Sequence, residues 1–186
     1  MMHGLTPPTV MWIALLRGIN VGGKNTLPMK ELVNLFETLG FKDVQTYIQS
    51  GNVIFGATAA AARKAPELVI AGIRNRWGYD VPVVTRTAKE LVSAVKRNPF
   101  VKNADPAHLH IAFLAAKPTA AGIAALDPDR SPPDRFAVLG REIHLHAPNG
   151  VARSKLTNRY FDSKLSTVST ARNWRTVHKL IELSSG

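Results

Sequence analysis

Val10-Met11-Trp12-Ile13-Ala14-Leu15-Leu16 is a nearly continuous apolar run that stops at Arg17. Its length and content are those of a strand at the centre of a sheet. A loop rich in Gly and Asn follows, Gly18 to Thr26, and Pro28 then suits the first turn of a helix. Met29, Leu32, Val33, Phe36 and Leu39 recur at helical spacing, and Gly40 fits the left-handed position that closes the helix. Val44 to Ile48 reads as a strand, Gln49-Ser50-Gly51 as a tight turn and Asn52 to Phe55 as the partner strand. A helix is expected from Pro66 to Gly78, with Val69, Ile73 and Trp77 on one face, and a strand from Asp80 to Arg86. Thr87 and Glu90 have the spacing of a capping box, which predicts a further helix from about 88 to 97, ended by Pro99. The order β-α-β-β-α-β is ferredoxin-like: an antiparallel sheet with helices on one face.

Residues 98–106 read as a connection, so two subdomains are expected, 10–100 and 101–186. In the second, His108 to Ala115 is strand-like and Thr119 to Leu126 a short helix. Phe136 to Leu139 and Ile143 to Ala147 flank the hairpin signal Gly140-Arg141. Two helices follow, one carrying Leu156, Tyr160, Phe161 and Leu165, the other Trp174, Val177 and Ile181. That makes about three strands and three helices, and no repeat of the first half is visible. Residues 1–9 read as a tail with Pro7-Pro8. The expected fold class is α+β, with two ferredoxin-like subdomains built on antiparallel sheets.

Composition narrows the function classes. The chain has 186 residues, 45% apolar and 20% charged, a globular composition. No apolar run is long enough for a membrane span. The run from Val10 to Leu16 is too short for a secretory core and lacks a small-residue cleavage pattern, so a cytoplasmic location is expected. With no cysteine, disulfides, thiolate metal sites and cysteine nucleophiles are excluded. Lys and Arg number 24 against 13 Asp and Glu, a formal charge of +11. This favours a polyanion or a small anionic ligand as partner, nucleic acid among the candidates. The excess in the second half lies entirely in residues 151–186: Arg153, Lys155, Arg159, Lys164, Arg172, Arg175 and Lys179 against Asp162 and Glu182. At the other end, Arg17 and Lys24 precede the first acid, Glu31. The plain alternative is a solvated surface on a generally basic protein.

Gly18-Ile19-Asn20-Val21-Gly22-Gly23-Lys24-Asn25 matches GxxxxGK and then departs from it, since Asn25 stands where Ser or Thr would ligate magnesium. The glycines either let backbone N–H groups approach an anion, helped by Lys24, or simply allow a sharp turn.

These residues also carry a resemblance. Trp12 to Lys24 and Thr46 to Phe55 resemble the opening blocks of the domain-of-unknown-function family numbered 1697. Arg153-Ser154-Lys155-Leu156-Thr157-Asn158 and Ala171-Arg172-Asn173-Trp174-Arg175-Thr176-Val177 resemble its last two. The resemblance implies two α+β subdomains related to the ferredoxin-like fold, and no activity or cofactor.

The blocks share polar residues at strand ends, turns and helix starts. The candidate anion-binding set is Arg17, Asn20, Gly22, Gly23, Lys24, Ser50, Asn52, Arg153, Ser154, Lys155, Arg172 and Asn173. Ser154 and Asn173, each at the start of an expected helix, are alternatively N-caps. We expect these segments to line one basic cleft. The alternative is an enzyme acting on a small phosphorylated or carboxylated metabolite between the subdomains. The blocks contain no obvious general base, so no catalytic residue is assigned. His108 and His110, and His144 and His146, would cluster as metal ligands only if their strands were neighbours with the imidazoles on one face. A sheet face that happens to use His is the simpler reading, and no metal site is assigned.

Overall fold

The computed structural model describes residues 7–185, so residues 1–6 of the expected tail lie outside the described residues. The chain divides into two units at the start of the helix that begins at Ala88.

The first unit comprises β1 (Val10–Leu16), α1 (Met29–Thr38), β2 (Lys42–Tyr47), β3 (Asn52–Ala57), α2 (Ala59–Trp77) and β4 (Val83–Thr87). The sheet order is β2-β3-β1-β4 with every neighbour antiparallel. The apolar run from Val10 to Leu16 is therefore an inner strand. Its alternate residues Ala14 and Leu16 join the core with Phe36, Phe41 and Phe55. These three rings pack with centroids 4.8–5.7 Å apart, in the tilted geometries that aromatic quadrupoles favour. α2 starts earlier than expected. Thr58 accepts a hydrogen bond from the Ala61 N–H at 3.3 Å and caps a helix that runs through Pro66. The alanines before Pro66 are strong helix formers, and together with the cap they outweigh the one backbone bond that proline cannot make.

The second unit holds α3 (Ala88–Lys96), β5 (Leu109–Leu114), α4 (Ala120–Ala124), β6 (Arg135–Leu139), β7 (Glu142–His146), α5 (Asn158–Leu165), β8 (Ser169–Asn173) and α6 (Trp174–Ser184). Its order, β6-β7-β5-β8, is again fully antiparallel. With β5 in the place of β1, this is the topology of the first unit over again, and α6 follows β8 as α3 follows β4. The repeat that the residues hide is thus present in the chain path.

The strand missing from the sequence reading is β8. Ser169-Thr170-Ala171-Arg172-Asn173 has no apolar alternation, so its period is silent. Pairing with β5 makes it a strand, and its polar groups are satisfied locally. The Ser169 hydroxyl donates to Asp162 Oδ1 at 2.6 Å, and Arg172 Nη1 donates to Thr170 Oγ1 at 2.8 Å. On one face of this sheet Ala112, Leu114, Ile143 and Leu145 pack with Tyr160, Phe161 and Leu165 of α5. His108 falls in a 3-10 turn, Pro106–His108, just before β5.

Candidate functional site

In the first unit the glycine loop folds back on itself. Gly22 and Gly23 both have positive φ, +56° and +73°. Lys24 N–H donates to Val21 O at 3.0 Å, and Val21 and Lys24 form an antiparallel bridge. Two successive left-handed residues closing such a bridge are the signature of a type I′ hairpin turn, which explains both glycines without a ligand. α1 begins well past Lys24, at Met29, so the loop lacks the helix start that a phosphate loop presents to its anion. Lys24 stands exposed at the hairpin.

Asn20 holds this hairpin to the rest of the unit. Its Nδ2 donates to Leu27 O at 2.9 Å and Gln49 O at 3.0 Å, while its Oδ1 accepts from Leu27 N–H at 2.7 Å. Asn52 is fully buried and donates from Nδ2 to Tyr47 O and Ser50 Oγ, both at 3.1 Å. Gly51 passes so close to β1 that an added Cβ would lie 2.8 Å from Leu16 Cβ and Leu16 O. Two of the sequence blocks therefore do meet, but Asn20, Ser50 and Asn52 meet to stitch a loop to a turn. Arg17, half-buried at the end of β1, gives its backbone N–H to Pro82 O at 3.0 Å.

The turn that they stitch carries strain. Ile48 has φ +49° and is 51% exposed, and a β-branched residue is disfavoured there. We expect Ile48→Asn to raise stability by about 1 kcal/mol, since Asn tolerates this conformation and no core contact is lost. Chemical denaturation measures it; a loss of stability would show that the Ile48 side chain contributes more than its backbone costs.

In the second unit α5 is capped by Thr157, whose Oγ1 accepts from Tyr160 N–H at 3.2 Å. Ser154 is therefore not at the helix start; its Oγ accepts from Leu156 N–H at 3.1 Å in the preceding turn. The segment is anchored by Lys155 N–H donating to Ser131 Oγ at 3.0 Å, which leaves the Arg153 and Lys155 side chains exposed. Asn173 is an N-cap, its Oδ1 accepting from Thr176 N–H at 2.8 Å. Arg172 parts from its neighbour. In the ladder Asn173 sits opposite His110 and Arg172 opposite Ile111, so the two lie on opposite faces. Arg172 is buried, its Nη1 donates to Ala171 O at 2.8 Å, and burial pushes its pKa down to about 10.

The face that Asn173 and His110 share is hollowed. One hollow, of about 460 Å³, is bordered by His110, Asp105, Asn173, Trp174 and Arg175. A second, of about 340 Å³, is bordered by His110, Ser154, Asn158, Leu145 and Phe161. The last two sequence blocks thus meet around His110, whose pKa burial holds below the usual imidazole range. His110 entered the sequence reading only as a possible metal ligand. Arg86 escaped it altogether: buried on β4, it sits opposite Ile13 as Arg172 sits opposite Ile111, and its Nη1 donates to Thr85 O at 2.9 Å. The signal is an Arg before a residue of cap type at a strand end, Thr87 after Arg86 and Asn173 after Arg172.

The four histidines do not cluster. His110 pairs with Leu145, whereas His144 pairs with Ile111 and Ala137, which places His110 and His144 on opposite faces of the sheet. Among the described residues no group of three or more His, Asp or Glu is placed to hold a metal ion. His144 is fully buried, and among the described residues neither ring nitrogen has a hydrogen-bond partner. Burial, and secondarily Arg97, lowers its pKa from 6.5 to about 4. The unfolded chain thus takes up the proton first as pH falls, and stability present above pH 6.5 is lost progressively toward pH 4, by up to about 3 kcal/mol. We expect His144→Leu to flatten the denaturation midpoint between pH 6.5 and 4; an unchanged slope would assign the acid sensitivity elsewhere.

Two βαββαβ units, each with a 2-3-1-4 antiparallel sheet, define a tandem ferredoxin-like α+β protein. The chain belongs to the family described as "Protein of unknown function (DUF1697)", which matches residues 10–144; the blocks near residues 153 and 172 lie beyond that stretch. A solved structure, that of the conserved bacterial protein SP0830 from Streptococcus pneumoniae, is similar in fold, with a TM-score of 0.70. The alignment has 20% identity and covers 95% of this chain and 99% of that one. No curated protein matches.

Proposed function

We propose that this protein binds a phosphate-bearing partner, nucleic acid before others, through the basic surface of residues 151–186. The observation that carries this reading is the state of four cations. Arg153, Lys155, Arg159 and Arg175 are exposed, and no ion pair engages them among the described residues. The first turns of α5 and α6 carry no acid, so the partial positive charge of those helix starts adds to the side chains. Base stacking has less support, since among the described residues no aromatic is one of the large exposed hydrophobics. Contact is therefore made mainly with the phosphate backbone, and affinity falls steeply with salt. The test is an anisotropy titration of labelled duplex and single-stranded nucleic acid across a salt series. Affinity indifferent to salt would remove the reading.

The hollows at His110 favour a second reading, a small phosphorylated or carboxylated ligand. It draws on concavity rather than net charge.

A further inference from the structure

The two hollows differ in chemistry and adjoin at one residue, and together they describe a ligand with three parts. The smaller is lined by Leu145, Val151, Leu156 and Phe161 together with Ser154 and Asn158. That combination suits a flat ring with polar edges: the apolar side chains exclude water from its faces, and the hydroxyl and amide meet the heteroatoms. The larger hollow is the more polar of the two. Arg175 is exposed there, and a guanidinium matches phosphate oxygens in a bidentate fork. Asp105 shares that hollow and accepts from Ala107 N–H through Oδ1 at 2.8 Å. A carboxylate so held suits a sugar diol better than an anion. His110 borders both hollows, where a neutral imidazole offers one donor and one acceptor.

We propose that the hollows joined at His110 form one site for a nucleoside monophosphate, with the base in the smaller, apolar hollow, the ribose beside Asp105 and the phosphate at Arg175. This rests on the phosphate-bearing reading and narrows it to a ligand unit. A metabolite with a carboxylate but no ring leaves the apolar hollow unfilled, and an unphosphorylated nucleoside leaves Arg175 unmatched.

Isothermal titration of the full chain with AMP, GMP, CMP and UMP tests it, with adenosine and inorganic phosphate alongside. At least one nucleotide should saturate a single site, with adenosine and phosphate each at least about tenfold weaker. Arg175→Gln should weaken AMP about tenfold and leave adenosine unchanged. Val151→Trp should weaken both, because Val151 borders the apolar hollow and is 49% exposed, so the larger ring blocks the entrance without disturbing the core. Inorganic phosphate binding as tightly as AMP would overturn the base pocket, as would indifference of AMP to Val151→Trp. If no nucleotide binds but salt-steep binding of polymer persists, the pocket is refuted and the charge reading stands. If neither binds, both fall.

Discussion

Replacing Arg153, Lys155, Arg159 and Arg175 together by Gln should lower affinity for labelled duplex nucleic acid about 100-fold or more near 0.1 M salt. It should also flatten the slope of log affinity against log salt by about three to four, since each lost phosphate contact removes nearly one released counterion. The effect is large because these cations are exposed and have no ion pair to maintain among the described residues. Folding should be untouched, since all four side chains face water. A matched control removes as many charges elsewhere: Lys30, Lys42, Arg63 and Lys64, exposed on the first unit. If the control weakens binding as much as the first set, total charge rather than a located surface drives association, and the assignment to residues 151–186 is wrong.

Asn20→Ala should destabilise the protein by about 3 kcal/mol. The substitution strands Leu27 N–H, Leu27 O and Gln49 O, three backbone groups that the amide now pairs. Each stranded group that water cannot reach costs about 1–3 kcal/mol. Leu27 is 1% exposed, so its groups bear most of that cost, and Gln49, at the surface, bears less. Asn20 also has φ +53°, where Ala is disfavoured. Asn20→Gly separates the two effects: it relieves the backbone but loses the same bonds, and should recover only about 1 kcal/mol of the loss. Denaturant midpoints of the three proteins measure both. If Asn20→Ala unfolds at the wild-type midpoint, the amide is not what holds the hairpin, and a ligand-contacting role for Asn20 regains its place.

Much of the first unit was legible because its signals are local. The apolar run of β1, the helical spacing from Met29 to Leu39 and the turn at Ser50-Gly51 each specify one conformation within a few residues. The short turn between β2 and β3 then makes that pair antiparallel. β8 was illegible for the opposite reason. Ser, Thr, Ala, Arg and Asn have no apolar period, and only pairing with β5 makes that segment a strand. The helix expected at Ser154 begins instead at Asn158, because Ser154 and Thr157 both resemble caps and it is Thr157 that caps the helix.

The candidate site was read as a list of residue types, and that is as far as residue types go. The chain by itself determined an antiparallel α+β fold, a basic carboxyl-terminal segment and an asparagine-rich loop beside a glycine turn, since propensity, charge and turn chemistry are written residue by residue. Only the tertiary structure decided that Arg172 faces away from Asn173, that His110 and not His144 borders the hollows, and that Asn20 and Asn52 bind backbone. A side chain's face depends on strand register, which shifts by a whole face for one residue of slip and is set by partners far along the chain.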